Sequence, residues 1–195
     1  EAQVGFTGSI DNISVKEITE DTDIPRLDYT DGGCPSLLLE PQSTNLITHS
    51  EDFSDSSWIK ESCIVQLNTE ISLSGSLSAS YIVPNVGTGI TPRINYRFSS
   101  QSGTTYQSSI FIKKFNTDWI RILSTGATGS TIDAYFDISN GVVGTGGSPS
   151  LATIEDYGSD WYRLGFKIVS TNTSSSATFR VQFAGGDNNS IITTD

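Results

Sequence analysis

Residues 161–169 have the sequence Trp-Tyr-Arg-Leu-Gly-Phe-Lys-Ile-Val, in which apolar and polar side chains alternate. Successive side chains of a β-strand point to opposite faces of its sheet, so this alternation predicts a strand with one buried and one solvent-facing side. The side chains expected in the core are those of Tyr162, Leu164, Phe166 and Ile168. The opposite face is expected to carry Trp161, Arg163, Gly165 and Lys167.

The same alternation recurs on both sides of this strand, in residues 106–115, 119–124, 132–138 and 178–183. Turn signals containing Gly, Ser or Asn stand at 102–103, 140–141 and 185–186. The 195 residues include 18 Gly and no Met, a composition that favours short strands and tight turns over long helices. We predict an all-β fold, a two-sheet antiparallel jelly-roll sandwich.

The formal net charge of −11 argues against nucleic acid as a partner, because phosphate binding draws on clustered Lys and Arg. It argues equally against an anionic membrane surface. No run approaches the roughly 18 apolar residues of a membrane span, and no basic, apolar signal peptide stands at the start. We therefore expect neither nucleic-acid binding nor membrane insertion. The chain does not begin with Met, and we interpret it as a processed product or an excerpt of a longer protein.

The two cysteines, Cys34 and Cys63, lie far apart in the sequence and lack the spacing of a metal site. A disulfide across the start of the sandwich is one alternative. The preferred alternative is that both thiols are free and buried, because unpaired Cys behaves as a small apolar residue.

The composition changes along the first 43 residues. Residues 19–31 are acidic and turn-rich around Pro25, which is typical of a linker or an extended crossing. Residues 32–43 contain a short apolar run between prolines, which suits one buried edge strand. We predict three parts: a closing or donor strand at 1–18, an acidic linker with an edge strand at 19–43, and a β-sandwich jelly-roll domain at 44–195.

Several segments carry a family resemblance. They are Pro-Arg-Leu-Asp-Tyr at 25–29, Pro-Ser-Leu-Leu-Leu-Glu-Pro-Gln at 35–42, Thr-Asn-Leu at 44–46, Ser-Glu-Asp-Phe at 50–53, Lys-Lys at 113–114, Trp-Ile-Arg at 119–121, Ala-Tyr-Phe-Asp at 134–137 and Asp-Trp-Tyr-Arg at 160–163. Together they resemble the jelly-roll, carbohydrate-binding-module-like domain of phage tail-fibre and tail-associated proteins, which also occurs in large secreted proteins of environmental bacteria. The resemblance covers most of residues 24–183 and implies an extracellular or virion location, on a tail appendage.

Residues 6–18, Phe-Thr-Gly-Ser-Ile-Asp-Asn-Ile-Ser-Val-Lys-Glu-Ile, resemble the strand that closes such a module, although here they come first. The resemblance implies that this strand either closes its own domain, as a circular permutation, or is donated to a neighbouring subunit. In the second case Ile10, Ile13 or Val15 would fill a groove of the neighbour and join copies into a homo-oligomer or polymer.

The resemblance also implies a structural Ca²⁺ ion between Asp52, in the opening Asp-Phe-Ser segment, and Asp11, in the closing strand. Hard cations bind several carboxylate and carbonyl oxygens, which an acidic chain supplies. The alternative is that both residues cap turns or face solvent.

Catalysis has few candidate residues. His49 is the only histidine, so no Ser-His or Cys-His pair can be argued, and Asp and Glu are too abundant at 22 for any one pair to stand out. We expect no enzyme activity.

Ligand binding is predicted on the outward faces of the strands, at Arg163, Lys167, Arg180, Gln182, Tyr135 and Lys113. The alternation places Lys113 on the side of Gln107, Ser109 and Phe111. If these strands share a sheet, one face offers the mixture of flat rings and planar donors that sugar recognition uses. The alternative is that cross-strand Arg–Asp pairs satisfy these charges without a ligand.

The three tryptophans, Trp58, Trp119 and Trp161, are expected to pack over the sandwich edge more often than to stack on sugar.

Two functions are consistent with these sequence features. The first is a non-catalytic carbohydrate-binding or adhesion module that holds a polysaccharide or cell-surface glycan. The alternative is a structural subunit of a virion appendage or extracellular filament, assembled by addition of the N-terminal strand.

Overall fold

The computed structural model describes residues 26–28, 36–38, 44–85 and 87–194. These residues form β-strands, turns and one short 3-10 turn at Pro149–Leu151, with no α-helix among them. The predicted all-β class is confirmed. None of the described segments is a helix with the length and apolar character of a membrane span.

The strands in chain order are β1 (Arg26–Asp28), β2 (Ser36–Leu38), β3 (Trp58–Glu61), β4 (Cys63–Ile71), β5 (Leu77–Pro84), β6 (Gly87–Ile90), β7 (Arg93–Ser100), β8 (Thr105–Lys113), β9 (Trp119–Thr125), β10 (Ile132–Asp137), β11 (Val142–Gly147), β12 (Ala152–Gly158), β13 (Trp161–Val169), β14 (Ser174–Ala184) and β15 (Ile192–Thr194).

The chain divides into two compact units, residues 1–45 and 46–195. Within the described part of the first unit, β1 and β2 pair antiparallel, with Leu27 opposite Leu37. All other described strands belong to the second unit.

The largest sheet of the second unit has six antiparallel strands in the order β11-β10-β9-β14-β7-β3. The long strand β14 lies inside this sheet, where Val181 is opposite Ile122 of β9 and Ile94 of β7. A three-stranded antiparallel sheet has the order β12-β13-β8, with Leu164 opposite Ile154 and Ile110. Two further strand pairs are β4-β5 and β6-β15.

The inner faces of the six-stranded and three-stranded sheets share one hydrophobic cluster. Ile122, Phe136 and Leu164 are completely buried in it. On β13, Leu164, Phe166 and Ile168 are buried while Lys167 is exposed, as the alternation predicts. The first two positions differ from the prediction, because Trp161, expected on the opposite face, is buried and Tyr162 is only partly buried. Burial of each such side chain contributes about 1.5 to 3 kcal/mol.

The arrangement is compatible with a β-sandwich. The jelly-roll order of its connections stays a prediction, as does the closing strand, because residues 6–18 lie outside the described residues. Two predicted turns are present: Gly103 and Gly141 have φ angles of 84° and 67°, a left-handed conformation that glycine adopts without steric cost.

Candidate functional site

The six predicted ligand-binding residues lie on two different sheets. Lys113, Arg163 and Lys167 lie on the three-stranded sheet, on β8 and β13. Tyr135, Arg180 and Gln182 lie on the six-stranded sheet, on β10 and β14. The condition that these strands share one sheet is therefore not met, because β14 pairs with β7 and β9 whereas β13 pairs with β8 and β12.

The outward face of the three-stranded sheet is a mixed aromatic and charged surface, which we call the platform. Its side chains are those of Gln107, Phe111, Lys113, Glu155, Tyr157, Arg163 and Lys167. Phe111 and Tyr157 are 44% and 48% exposed, and their rings meet edge to face with centroids 5.0 Å apart. Large aromatic side chains are usually buried, so an exposed pair of this kind is unusual for a surface with only a structural role.

Charged groups flank the aromatic pair. Arg163 lies between Phe111 and Glu155 in the strand register, and its Nη1 is 3.5 Å from Glu155 Oε2. Lys113 Nζ donates a hydrogen bond of 3.0 Å to Glu70 Oε2. Lys167, opposite Gln107, is exposed and makes no ion pair within the described part of the chain. The platform thus combines two open rings with a guanidinium, ammonium groups and an amide.

Two of the three tryptophans are buried. Trp58 and Trp161 are 3% and 9% exposed. Trp58 contacts the rings of Phe53 and Tyr96, and its Nε1 donates to the backbone oxygen of His49. These two indole rings are therefore held in internal contacts and are not open to a sugar, although Trp161 was predicted on the outward face of its strand.

On the outward face of the six-stranded sheet, Arg93, Arg121 and Arg180 lie with the acidic residues Glu61 and Asp133, and we call this group the arginine face. A fourth arginine of the same side, Arg97, is exposed and lies outside this group. Arg93 Nη2 lies 2.5 Å from Glu61 Oε2, and Arg121 Nη2 lies 2.6 Å from Asp133 Oδ2. Such cross-strand pairs are the alternative that the sequence analysis kept open for these charges.

Tyr135 and Gln182 point outward from the same sheet but are buried, with exposures of 3% and 2%. Gln182 Nε2 donates to the backbone oxygen of Ser190, in the loop after β14, and the Arg121 guanidinium lies 5.5 Å from the centre of the Tyr135 ring. Burial raises the pKa of Tyr135. These two predicted binding residues are therefore held in internal contacts.

Asp187 fixes the loop that follows β14. Its carboxylate accepts hydrogen bonds from Thr145 N (2.8 Å), Thr145 Oγ1 (2.6 Å) and Gly146 N (2.8 Å), all on β11. The hydrogen bond from the Thr145 hydroxyl, followed by those from the backbone, lowers the pKa of Asp187.

We expect this loop attachment to weaken in acid. The pKa of the Asp187 carboxyl is lower in the folded chain than in the unfolded chain, where an Asp has a pKa of about 3.9. Such a carboxyl stabilises the folded state at pH values above the unfolded pKa. This contribution is lost as the pH falls through the folded pKa. The amide NMR shifts of Thr145 and Gly146 should titrate with a midpoint below about 3.9. In Asp187→Asn this transition should disappear; a midpoint at or above 3.9 in the unchanged chain would contradict the assignment.

Asp52 is exposed and binds its own turn. Its Oδ1 accepts hydrogen bonds from the backbone nitrogen of Ser54, at 2.9 Å, and from the Ser54 hydroxyl, and the latter bond is the main cause of its lowered pKa. This is the turn-capping alternative. The other predicted ligand, Asp11, lies outside the described residues, and no cluster of three or more His, Cys, Asp or Glu able to hold a metal occurs among the described ones. The described residues alone do not fit a Ca²⁺ site, and calcium stays a prediction.

His49 and Cys63 have structural neighbours. His49 Nδ1 lies 3.8 Å from Asp55 Oδ2 at the surface. Cys63 is free and buried, its Sγ donates to the backbone oxygen of Arg93, and burial raises the pKa of the thiol. Cys34 lies outside the described residues, as do Ile10, Ile13 and Val15.

An open cleft of about 2010 Å³ lies between the hairpin β4-β5 and strand β8. Consecutive residues line it on both sides, 78–84 of β5 and 109–113 of β8. Because neighbouring residues of a strand point to opposite faces, a run of consecutive lining residues means that the cleft follows the backbone edges of these strands. Its floor is apolar and includes Ile94, Ile120, Phe179, Val181 and Phe183 of the six-stranded sheet.

Comparison with known protein families and with curated proteins finds no match to this chain. The resemblance to phage tail modules therefore rests on the residues quoted above and stays a prediction.

Phe111 and Tyr157 were not among the binding residues predicted from the sequence. The sequence feature that could have identified Phe111 is the alternation in β8, which places its ring on the outward side with Lys113.

Proposed function

We propose that this chain is a non-catalytic module that binds carbohydrate on the platform. The observation that carries the proposal is the exposed pair of rings, Phe111 and Tyr157, flanked by Arg163. Aromatic faces pack against the apolar C–H faces of sugar rings, while guanidinium, amide and carboxylate groups hydrogen-bond the hydroxyls around the ring. A shallow open face of this kind suits a polysaccharide or a cell-surface glycan.

The resemblance to phage tail and secreted bacterial proteins supplies the setting of the proposal. A module that holds a glycan without cleaving it serves adhesion, either on a virion tail appendage or on an extracellular protein. The acidic chain fits this setting, because glycan recognition through rings and hydroxyls does not require a net positive surface.

The test is a glycan array followed by NMR mapping of the best neutral oligosaccharide. We expect the largest amide shifts at Phe111, Tyr157 and Arg163, and small shifts at Val142, an exposed apolar residue of the other sheet. Phe111 and Tyr157 also border the cleft described above. Shifts confined to residues 78–84 of β5, on the other side of that cleft, or to the six-stranded sheet would contradict the platform as the binding surface.

A second function, assembly by strand addition, is favoured by one observation, the pair of strand edges along the cleft. Among the described strands, β8 pairs with β13 alone and β5 with β4 alone. Unpaired edges above an apolar floor are a liability that proteins cover with another strand. The cleft, at about 2010 Å³, is also larger than the roughly 300 to 1000 Å³ typical of small-molecule sites.

The proposed donor is the segment 6–18 of a second copy, with Ile10, Ile13 and Val15 as its apolar anchors. The cleft borders five consecutive residues of β8 and seven of β5, and the segment has thirteen residues, enough to follow either edge. Added strands bind through backbone hydrogen bonds, with alternate side chains filling pockets. Donation from copy to copy would give an open, polymer-like assembly.

We expect Ile13→Asp to lower the mass measured by light scattering, since a charge at an anchor position cannot enter an apolar cleft. Ser14→Asp is the matched control, because it adds the same charge at the neighbouring, polar position of the alternation. The idea would be abandoned if the unchanged chain is monomeric over a wide concentration range, or if both variants assemble as it does.

A further inference from the structure

We infer that the arginine face binds the carboxylate of an acidic saccharide, with Arg180 as the anchoring residue. The inference rests on the proposed carbohydrate-binding function and adds a substrate class to it. It concerns the six-stranded sheet, opposite the layer that carries the platform.

Arg180 differs from the two other arginines of this face in its partners. Arg93 and Arg121 each contact a carboxylate, Glu61 and Asp133 respectively. Arg180 instead donates from Nε to Asn95 Oδ1, and its terminal nitrogens make no hydrogen bond within the described part of the chain. A guanidinium group has five N–H donors, and four of those of Arg180 have no partner among the described residues.

The charges of the arginine face do not cancel. All charged residues on this side of the sheet, four arginines (Arg93, Arg97, Arg121 and Arg180) and three carboxylates (Glu61, Asp133 and Asp137), leave one positive charge, in a chain whose formal net charge is −11. Burial lowers the pKa of Arg180, and repulsion from Arg93 and from Arg121 adds to this effect, against attraction by Glu61. An anion bound at Arg180 would offset both the burial and the repulsion.

The neighbours of Arg180 hold it in place. Asn95 is 3% exposed, and besides accepting from Arg180 it donates from Nδ2 to Glu61 Oε1 at 2.6 Å. Arg93 adds an unpaired donor, since its Nε is buried without a hydrogen-bond partner among the described residues. Unpaired buried donors are rare in folded proteins and call for an explanation such as a ligand or an ordered water.

The geometry of the guanidinium selects the ligand class. Its planar fork matches a carboxylate through two parallel hydrogen bonds, which are stronger than those between neutral groups. Uronic acids carry such a carboxylate on a sugar ring. At physiological salt the screening length is about 8 Å, so the distant negative charges of the chain are largely screened and the local positive charge dominates.

The test compares two ligands and two variants by titration calorimetry at about 0.15 M salt. The ligands are an oligogalacturonate and the same oligosaccharide with its carboxyls methyl-esterified. The variants are Arg180→Gln and, as the control, Arg97→Gln. Arg97 lies on β7 and faces outward like Arg93. It is exposed and makes no ion pair in the described part of the chain. Both substitutions remove one positive charge from the same sheet face.

We expect the oligogalacturonate to bind the unchanged chain at least tenfold more tightly than its ester. Arg180→Gln should remove this preference, and Arg97→Gln should change it less than threefold. Equal binding of the two ligands would overturn the inference, and so would equal losses in the two variants, since these indicate a diffuse charge effect.

A Phe111→Ala chain separates this inference from the proposed function. If its preference for the oligogalacturonate over the ester is kept, the arginine face binds independently of the platform, which supports the inference even where the platform fails its own test. If the substitution removes the preference while Arg180→Gln leaves it intact, the carboxylate binds at the platform and the inference is wrong.

Discussion

Replacing Tyr157 with alanine is expected to weaken glycan binding about 30-fold, because truncation of an aromatic anchor at a binding surface costs about 2 kcal/mol. The ring is 48% exposed and meets the ring of Phe111 edge to face on the platform, so its removal changes the binding surface more than the core. The measurement is the Kd for the best oligosaccharide from the array, by titration calorimetry.

Two further variants test the cause of this loss. Tyr157→Phe keeps the ring and removes only a hydroxyl whose contact with Glu155 is a long 3.4 Å, so its Kd should stay within about threefold. Val169→Ala removes an exposed apolar side chain from the outward face of β13 and should leave binding unchanged. If Tyr157→Ala and Val169→Ala weaken binding equally, the aromatic pair is not the binding surface.

The double variant Phe111→Ala with Tyr157→Ala tests whether the two rings act together. Their centroids are 5.0 Å apart, close enough for their effects to be coupled. We expect the double variant to lose less than the sum of the two single losses, since the first truncation already removes the ring that orients the second. Additive losses would mean that each ring contacts a separate sugar.

Alternation was sufficient to predict strands β8, β9, β10, β13 and β14, and most of the buried side of β13, because a period of two is a local property of the sequence. Leu164, Phe166 and Ile168 are buried as predicted, and Lys167 is exposed. In β14 the outward prediction for Arg180 and Gln182 places Phe179 and Val181 on the core side, and both are buried. Each of these results depends on residues within one strand.

Alternation could not predict which strands share a sheet, since pairing joins residues far apart in the chain. Arg163 and Arg180 both face outward, yet they belong to different sheets. Alternation also could not predict that a loop covers an outward-facing side chain. Gln182 points outward and is still buried, because the loop after β14 places Ser190 against it. The exposed rings of Phe111 and Tyr157 meet only through the pairing of β8, β13 and β12.

Leu164→Ala is expected to lower the free energy of unfolding by about 2 to 5 kcal/mol, the range for leucine truncation in a packed core. Leu164 is completely buried and lies opposite Ile154 and Ile110 at the centre of the three-stranded sheet. A loss of about 3 kcal/mol should lower Tm by about 6 to 12 °C for a chain of this size.

The matched control for this substitution is Val169→Ala, on the same strand and 53% exposed, which should change stability by less than about 0.5 kcal/mol. Urea unfolding followed by tryptophan fluorescence measures both variants, and an unchanged m-value shows that the difference lies in stability and not in the denatured state. If Leu164→Ala costs no more than Val169→Ala, the two sheets do not share a core through β13. Arg163 and Lys167 lie on the same strand as these buried residues. If β13 does not pack in a shared core, nothing holds its outward side chains in place, and the platform loses its structural basis.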